Sequence, residues 1–412
     1  MLCKMHAMNA EPADDPTKRS FRRRVFYIPG YDPFHPRRYR ELYRKEGAAQ
    51  AAISGYQLAL KPKKAGGPYG WHVDGVVGGK AAEVEMEVLV WSDLVRTSMT
   101  AGIPGTYLQL LRTAWAYIGS GALFRLMRLR KGPMIAALYP IFFLLGQLAI
   151  AIAAGWALGS LVAAYSHWAA GLALGLGLAY GILHLFRRYD HKVFAYYLMH
   201  DYAYSAQVGG ANPPELEARM AQFRASIRAA MDGGFDEVLV VGHSSGAHLA
   251  VSILADLLRE GVPGAPALSL LTLGHVVPMV SFLPKAARLR RDLHDLSTVE
   301  RLTWVDVTAP GDGCAFALCD PVAVTGVAPA GKRWPLVMSA AFTQTLSAER
   351  WRELRWKFFR LHFQYLCAFD RPRDYDYFQI TAGPVPLGAR YAARKPSASR
   401  IEVARSGYRS MA

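Results

Sequence analysis

The chain has 412 residues, enough for one large domain with an insertion or for two modest domains. Its 48 Lys+Arg against 32 Asp+Glu give a formal net charge of +16, a balance that suits nucleic acid or an anionic membrane surface. Cys3, Cys314, Cys319 and Cys367 form no C-x-x-C pair and have no histidine at metal-finger spacing, a pattern that argues against a metal site and is expected of ordinary buried thiols in a reducing compartment.

Residues 1–23 carry Lys18, Arg19, Arg22 and Arg23 and no apolar core of a signal peptide, so they are expected as a flexible basic N-terminus. Residues 24–105 open an α/β domain. The run 24–28 (Arg-Val-Phe-Tyr-Ile) is β-rich and ends in Pro29-Gly30, a basic helical stretch covers 36–52, and strands are expected at 56–60 and 82–91. In the last of these Val84, Met86, Val88 and Val90 alternate onto one face.

Residues 106–192 form an insertion. From 107 to 131, Leu110, Leu111, Trp115, Ile118, Leu123, Phe124 and Met127 alternate with arginines, the pattern of an amphipathic helix lying in a headgroup plane or packed on the domain. Residues 132–186 then contain no Asp, Glu, Lys or Arg. A bilayer core needs about 20 apolar residues per helix, so this run is long enough for two passes. They are expected at 138–164 and 168–186, with the turn at Tyr165-Ser166-His167. Gly171/Gly175 and Gly177/Gly181 make two G-x-x-x-G pairs for close packing on the first helix. Arg125, Arg128, Arg130 and Lys131 precede the run and Arg187, Arg188 and Lys192 follow it, while the turn has no positive charge. By the positive-inside rule both flanks face the cytoplasm. The expected protein is integral to an inner or plasma membrane, with its main domain cytoplasmic.

Residues 193–388 resume the α/β pattern. A helix is expected at 213–231, a compact strand at 237–241, a helix at 247–259, and strands at 268–273, 302–307 and 334–339. Fully apolar strands alternating with helices imply a mostly parallel sheet covered by helices on both faces. Residues 389–412, basic and Ser-rich, are expected as a flexible tail.

The strongest chemical signal is Gly242-His243-Ser244-Ser245-Gly246, a G-x-S-x-G with a strand before it and a helix after it. Such a strand–turn–helix elbow exposes the serine hydroxyl at a helix N-terminus, where a developing negative charge is favoured. Ser244 is therefore the candidate nucleophile, and the N–H of Ser245 the candidate for half of an oxyanion hole. The loop Pro29-Gly30-Tyr31-Asp32 after the first strand offers the Tyr31 N–H as the other half. The base is found by elimination: His362 is the one histidine beyond residue 300. For the acid, Asp312 in Thr-Ala-Pro-Gly-Asp-Gly is preferred over Asp320 in Cys-Asp-Pro-Val, and Asp306 is read as a strand residue.

The Gly-His-Ser-Ser-Gly elbow, the Thr-Leu-Gly that ends a later strand, the Asp loop and the late His together resemble the α/β-hydrolase superfamily, closest to its lipase and esterase branches. The resemblance covers roughly 24–100 and 200–385; it departs in lacking a His-Gly pair in the first loop and in placing the base in a helical context. It implies an α/β-hydrolase-like fold with an inserted transmembrane hairpin, a Ser-His-Asp triad, a covalent acyl-enzyme, and no metal or organic cofactor. A lipid or other acyl-ester substrate and contact with membrane lipids are expected. A catalytically inactive scaffold of the same fold is the competing reading. Nucleic-acid binding is disfavoured, because the basic residues lack the aromatic interleaving of a binding face.

Overall fold

The computed structural model describes residues 20–63, 67–262 and 264–412, so most of the N-terminal stretch expected to be flexible, Cys3 included, lies outside the described residues. Its last residues depart from that expectation. Strand β1 (Phe21–Ile28) already includes Arg22 and Arg23. Arg23 is fully buried, with Nε 2.6 Å from Glu237 Oε2 and its Nη atoms donating to the Gly383 and Val385 carbonyls. Arg24 pairs with Glu85 and Glu87. A basic run that looks solvated in isolation is neutralised across the sheet, which is what makes its burial tolerable.

The remaining strands are β2 (Gln57–Pro62), β3 (Gly70–Val77), β4 (Lys80–Val88), β5 (Glu237–His243), β6 (Ala267–Leu273), β7 (Leu302–Thr308) and β8 (Leu336–Ser339). They form one sheet in the order β2-β3-β4-β1-β5-β6-β7-β8. The β2–β3 and β3–β4 pairs are antiparallel and every other pair is parallel. The protein is thus an α/β molecule with a mostly parallel mixed sheet. Every residue of β5 is buried, as a strand covered on both faces must be.

In chain order the main helices are α1 (Arg37–Ser54), α2 (Ser92–Ser98), α3 (Ile103–Gly119), α4 (Ala122–Leu126), α5 (Lys131–Tyr165), α6 (Trp168–Arg188), α7 (Ala195–Ala206), α8 (Pro214–Met231) and α9 (Gly246–Arg259). Tyr39 and Tyr43 of α1 pack with Val25 and Tyr27 on one face of β1, whereas α9 packs with Phe26 and Ile28 on the other. The helices after β1 and β5 therefore leave opposite faces of adjacent strands. That divergence opens a crevice at the carboxyl ends of β1 and β5, the usual place for a ligand in such sheets.

α5 and α6 are long and apolar enough to cross a membrane. At 35 and 21 residues they measure about 52 and 31 Å, joined at Ser166-His167. Their contact is backbone to backbone. A Cβ on Gly175 would lie 2.5 Å from the Gly155 carbonyl oxygen, and one on Gly171 2.4 Å from that of Gly159. Gly177 and Gly181 would meet nothing within 4 Å, so only the first expected G-x-x-x-G pair is at the interface. Gly177 follows Gly175 by two residues, which turns it about 200° around the helix. The lower turns of α5 belong to the α/β body: Met134 and Ala137 pack with Leu126 and Phe316, and Leu144 with Leu110 and Met199. α3 runs beside them, with the Tyr107 hydroxyl donating to the Leu144 carbonyl at 3.0 Å. Its other side leaves Leu108, Leu111, Trp115 and Ile118 exposed as one stripe, Trp115 by 79%. The segment thus packs on the domain and presents an outward apolar face as well.

The C-terminal residues expected as a flexible tail are packed. Ile401 bridges to Cys319, the Ser397 N–H donates to Val337, and the buried Arg290 guanidinium donates to the carbonyls of Ser281, Leu283, Pro284 and Ser410. A Ser- and Arg-rich composition conceals this, because the partners are main-chain carbonyls far away in sequence.

Candidate active site

The site assembles at the carboxyl ends of β1, β5, β6 and β7. Register brings Ile28 opposite Gly242, His243 opposite Leu273 and Leu273 opposite Val307, so the loops that follow stand side by side. Ser244 leaves β5 with φ +56°, a left-handed conformation that a non-glycine residue adopts only where its surroundings enforce it. The turn is closed by Ser244 N–H donating to Leu273 and by Ala247 N–H donating to the Ser244 carbonyl. At Gly246 a Cβ would lie 2.2 Å from the Ile28 carbonyl oxygen, so only glycine lets α9 start beneath the end of β1. Gly30 faces Ser244 itself: its Cβ would fall 2.9 Å from Ser244 Cβ and 3.3 Å from Ser244 Oγ.

His362 ends the short helix Phe358–His362 and stands over Gly274, the residue after β6. A Cβ at Gly274 would lie 3.1 Å from His362 Cε1. The ring donates Nδ1–H to Asp312 Oδ2 at 2.7 Å, because a carboxylate only accepts. That leaves Nε2 as the lone-pair nitrogen, buried and without a hydrogen-bond partner. Ser244 Oγ and His362 Nε2 are thus not bonded to each other in this conformation, as is common for such pairs before substrate binds. Asp312 is fully buried at the side chain. Burial alone would raise its carboxyl, but the His362 charge and hydrogen bond, the Cys314 N–H and the Tyr365 hydroxyl outweigh it and hold the group below its ordinary value.

Asp320 lies elsewhere and has other work. Its Oδ1 caps a helix by accepting the Val322 and Ala323 N–H groups, and Oδ2 pairs with Lys332 at 2.6 Å. Asp306 is buried within β7 and accepts from Thr272.

The first loop is held rigid from three sides. Trp91 Nε1 donates to the Pro29 carbonyl at 3.0 Å, the Tyr197 hydroxyl donates to the Tyr31 carbonyl, and Tyr39 donates to Asp32. The Tyr31 and Ser245 N–H groups make no main-chain hydrogen bond among the described residues. Two such amides, one on each side of the elbow, are suited to an oxyanion.

Two residues at the site were not singled out from sequence. His243, the second residue of the pentapeptide, stacks on His362 with ring centroids 4.9 Å apart. Its Nε2 lies 3.1 Å from the His362 carbonyl, which can only accept, so Nε2 carries the proton and Nδ1 takes the Tyr27 hydroxyl. Burial lowers the His243 pKa to about 3, and the ring is neutral. Tyr365 donates to Asp312 and accepts the Ala309 N–H, tying the Asp312 loop to the end of β7. Neither role has a sequence signature, since both depend on elements distant in the chain.

Asp312, Cys314 and His362 each offer one atom that could ligate a metal, all within 4.8 Å of one another. Burial, helped by Asp312 and Asp201, raises the Cys314 thiol well above its ordinary value. It stays an S–H, a poor ligand, and the Asp312 oxygen facing His362 is already taken by two donors. No protein-family model, curated protein or solved structure matches the chain.

Proposed function

We propose that the protein is a membrane-anchored serine hydrolase of the α/β-hydrolase type, cleaving an acyl ester or thioester. The observation that carries this reading is the buried Asp312–His362 hydrogen bond, which leaves Nε2 as the lone-pair nitrogen, at the same sheet edge as the left-handed Ser244 of the elbow. In this mechanism His362 takes the Ser244 proton as Oγ attacks the acyl carbonyl, and Asp312 holds the tautomer and the resulting imidazolium. The Tyr31 and Ser245 N–H groups receive the oxyanion. His362 then returns the proton to the leaving alcohol or thiol. Water repeats the sequence on the acyl-enzyme, releasing the acid.

The charge-free hairpin and its basic flanks favour an anchor in an inner or plasma membrane with the α/β body in the cytoplasm. A lipidic acyl substrate follows from that placement. A fluorophosphonate probe should label the detergent-solubilised protein, and Ser244→Ala should abolish both labelling and hydrolysis of short nitrophenyl esters. A folded Ser244→Ala protein with undiminished esterase activity would remove Ser244 from the mechanism. A wild-type protein that is neither labelled nor active would favour the inactive scaffold.

A further inference from the structure

Beside the oxyanion amides lies a small cleft that the acyl-transfer mechanism does not use. Its lining includes Tyr31, Ser245, Asp201, Tyr204 and His248, and its volume is about 20 Å³. That is room for one water-sized group, since a single water needs about 10–15 Å³. The polar atoms around it are short of partners. Tyr204 Oη and His248 Nδ1 are buried with none, and the partly buried Asp201 lies on the same wall. Buried polar atoms are nearly always paired, so two orphans at one cavity indicate a missing ligand group.

We propose that this cleft is a substrate subsite that takes a hydroxyl group carried close to the scissile carbonyl, and so selects esters of hydroxylated alcohols over plain alkyl esters. This rests on the hydrolase reading above. The chemistry of the wall makes the choice. No Lys or Arg lines the cleft, and an anionic phosphate or carboxylate would face Asp201 without a counter-charge. An ammonium has no lone pair and would leave the Tyr204 O–H unsatisfied. A hydroxyl both donates and accepts, and so can satisfy Tyr204 and a second member of the wall together. Burial lowers the His248 pKa to about 4, which keeps that ring neutral and able to bond an uncharged group.

Glyceryl monobutyrate and propyl butyrate share an acyl chain and a three-carbon alcohol and differ in two hydroxyls. With full-length protein in detergent, kcat/KM for the glyceryl ester should exceed that for the propyl ester by about tenfold or more. Tyr204→Phe and Asp201→Leu, each checked for folding by its melting midpoint, should lower that ratio by about tenfold. A fall in either variant supports the subsite, so the failure of one to fold leaves the other decisive. A wild-type ratio near one, or a ratio unchanged in the folded variants, overturns it and leaves the cleft as a water site. Failure of the hydrolase reading looks different: the wild type would be unlabelled by the phosphonate and would cleave neither ester.

Discussion

The two aspartates of the acid region divide their roles according to which groups their oxygens meet. Asp312 receives His362 Nδ1–H, so Asp312→Asn should present an amide that no longer enforces the productive tautomer. A loss of about 10⁴-fold in kcat is expected, the scale of the same change in the serine-protease triad. Asp320→Ala should leave phosphonate labelling intact and lower stability by about 1 kcal/mol through the lost helix cap. Finding these effects exchanged in a melting and labelling experiment would reverse the assignment. Asp201 supplies a pH test. Burial raises its carboxyl from 3.8 to about 7, with the His362 charge opposing. Between those values the folded protein binds more protons than the unfolded chain, so Asp201 destabilises progressively as pH rises from about 4 to 7. Asp201→Asn should therefore raise the melting midpoint at pH 8.5 more than at pH 5; an equal shift at both would show that Asp201 does not titrate. The turn at Ser244 after a strand and the loops that bring Asp312 to His362 follow the chain order expected for them, because such loops come one after another at strand ends; the catalytic roles of the three belong to the proposal. His243 and Tyr365 were not legible in the sequence, since a ring stacked across the site leaves no local pattern.

At the scale of elements, apolar strands and long apolar helices were the legible part. The strands expected at 268–273 and 302–307 appear within a residue of their bounds, as β6 and β7. β3 was missed for a physical reason. Its Gly70 and Gly75 resemble loop residues, yet a Cβ there would lie 2.1 Å from the Met86 carbonyl oxygen and 2.2 Å from that of Ala382. Close approach of neighbouring main chains, not a turn, requires those glycines. The helix α7 was also missed, because its many tyrosines carry no simple amphipathic signal. The hairpin makes the same point about glycine in a testable form. Gly175→Leu should drive a side chain into α5 and cost about 1–3 kcal/mol. Gly177→Leu, facing open space, should leave the melting midpoint in detergent unchanged. Equal effects of the two would mean that the helices do not meet through the Gly171/Gly175 face.

For the whole molecule, the net charge of +16 is read through its placement. Part of it is internal, as with Arg23, Arg24 and Arg290, and part flanks the hairpin. If both flanks are cytoplasmic, Ser166→Cys in the turn should react with an impermeant maleimide on intact cells, whereas Ser399→Cys in the exposed C-terminal region should react only after lysis. The reverse pattern would invert the orientation. The root of the hairpin also bears on where the chain can be trimmed to remove the apolar helices. Gly132, in the first turn of α5, rests on the Gly313 main chain beside Asp312, and Arg130 Nε donates to the Ala317 carbonyl. Shortening the protein at Lys131, where the apolar run begins, strips the backing from the loop that holds Asp312. Trimming beyond Ala151, and rejoining the chain before Leu183, spares that masonry and removes only the mast.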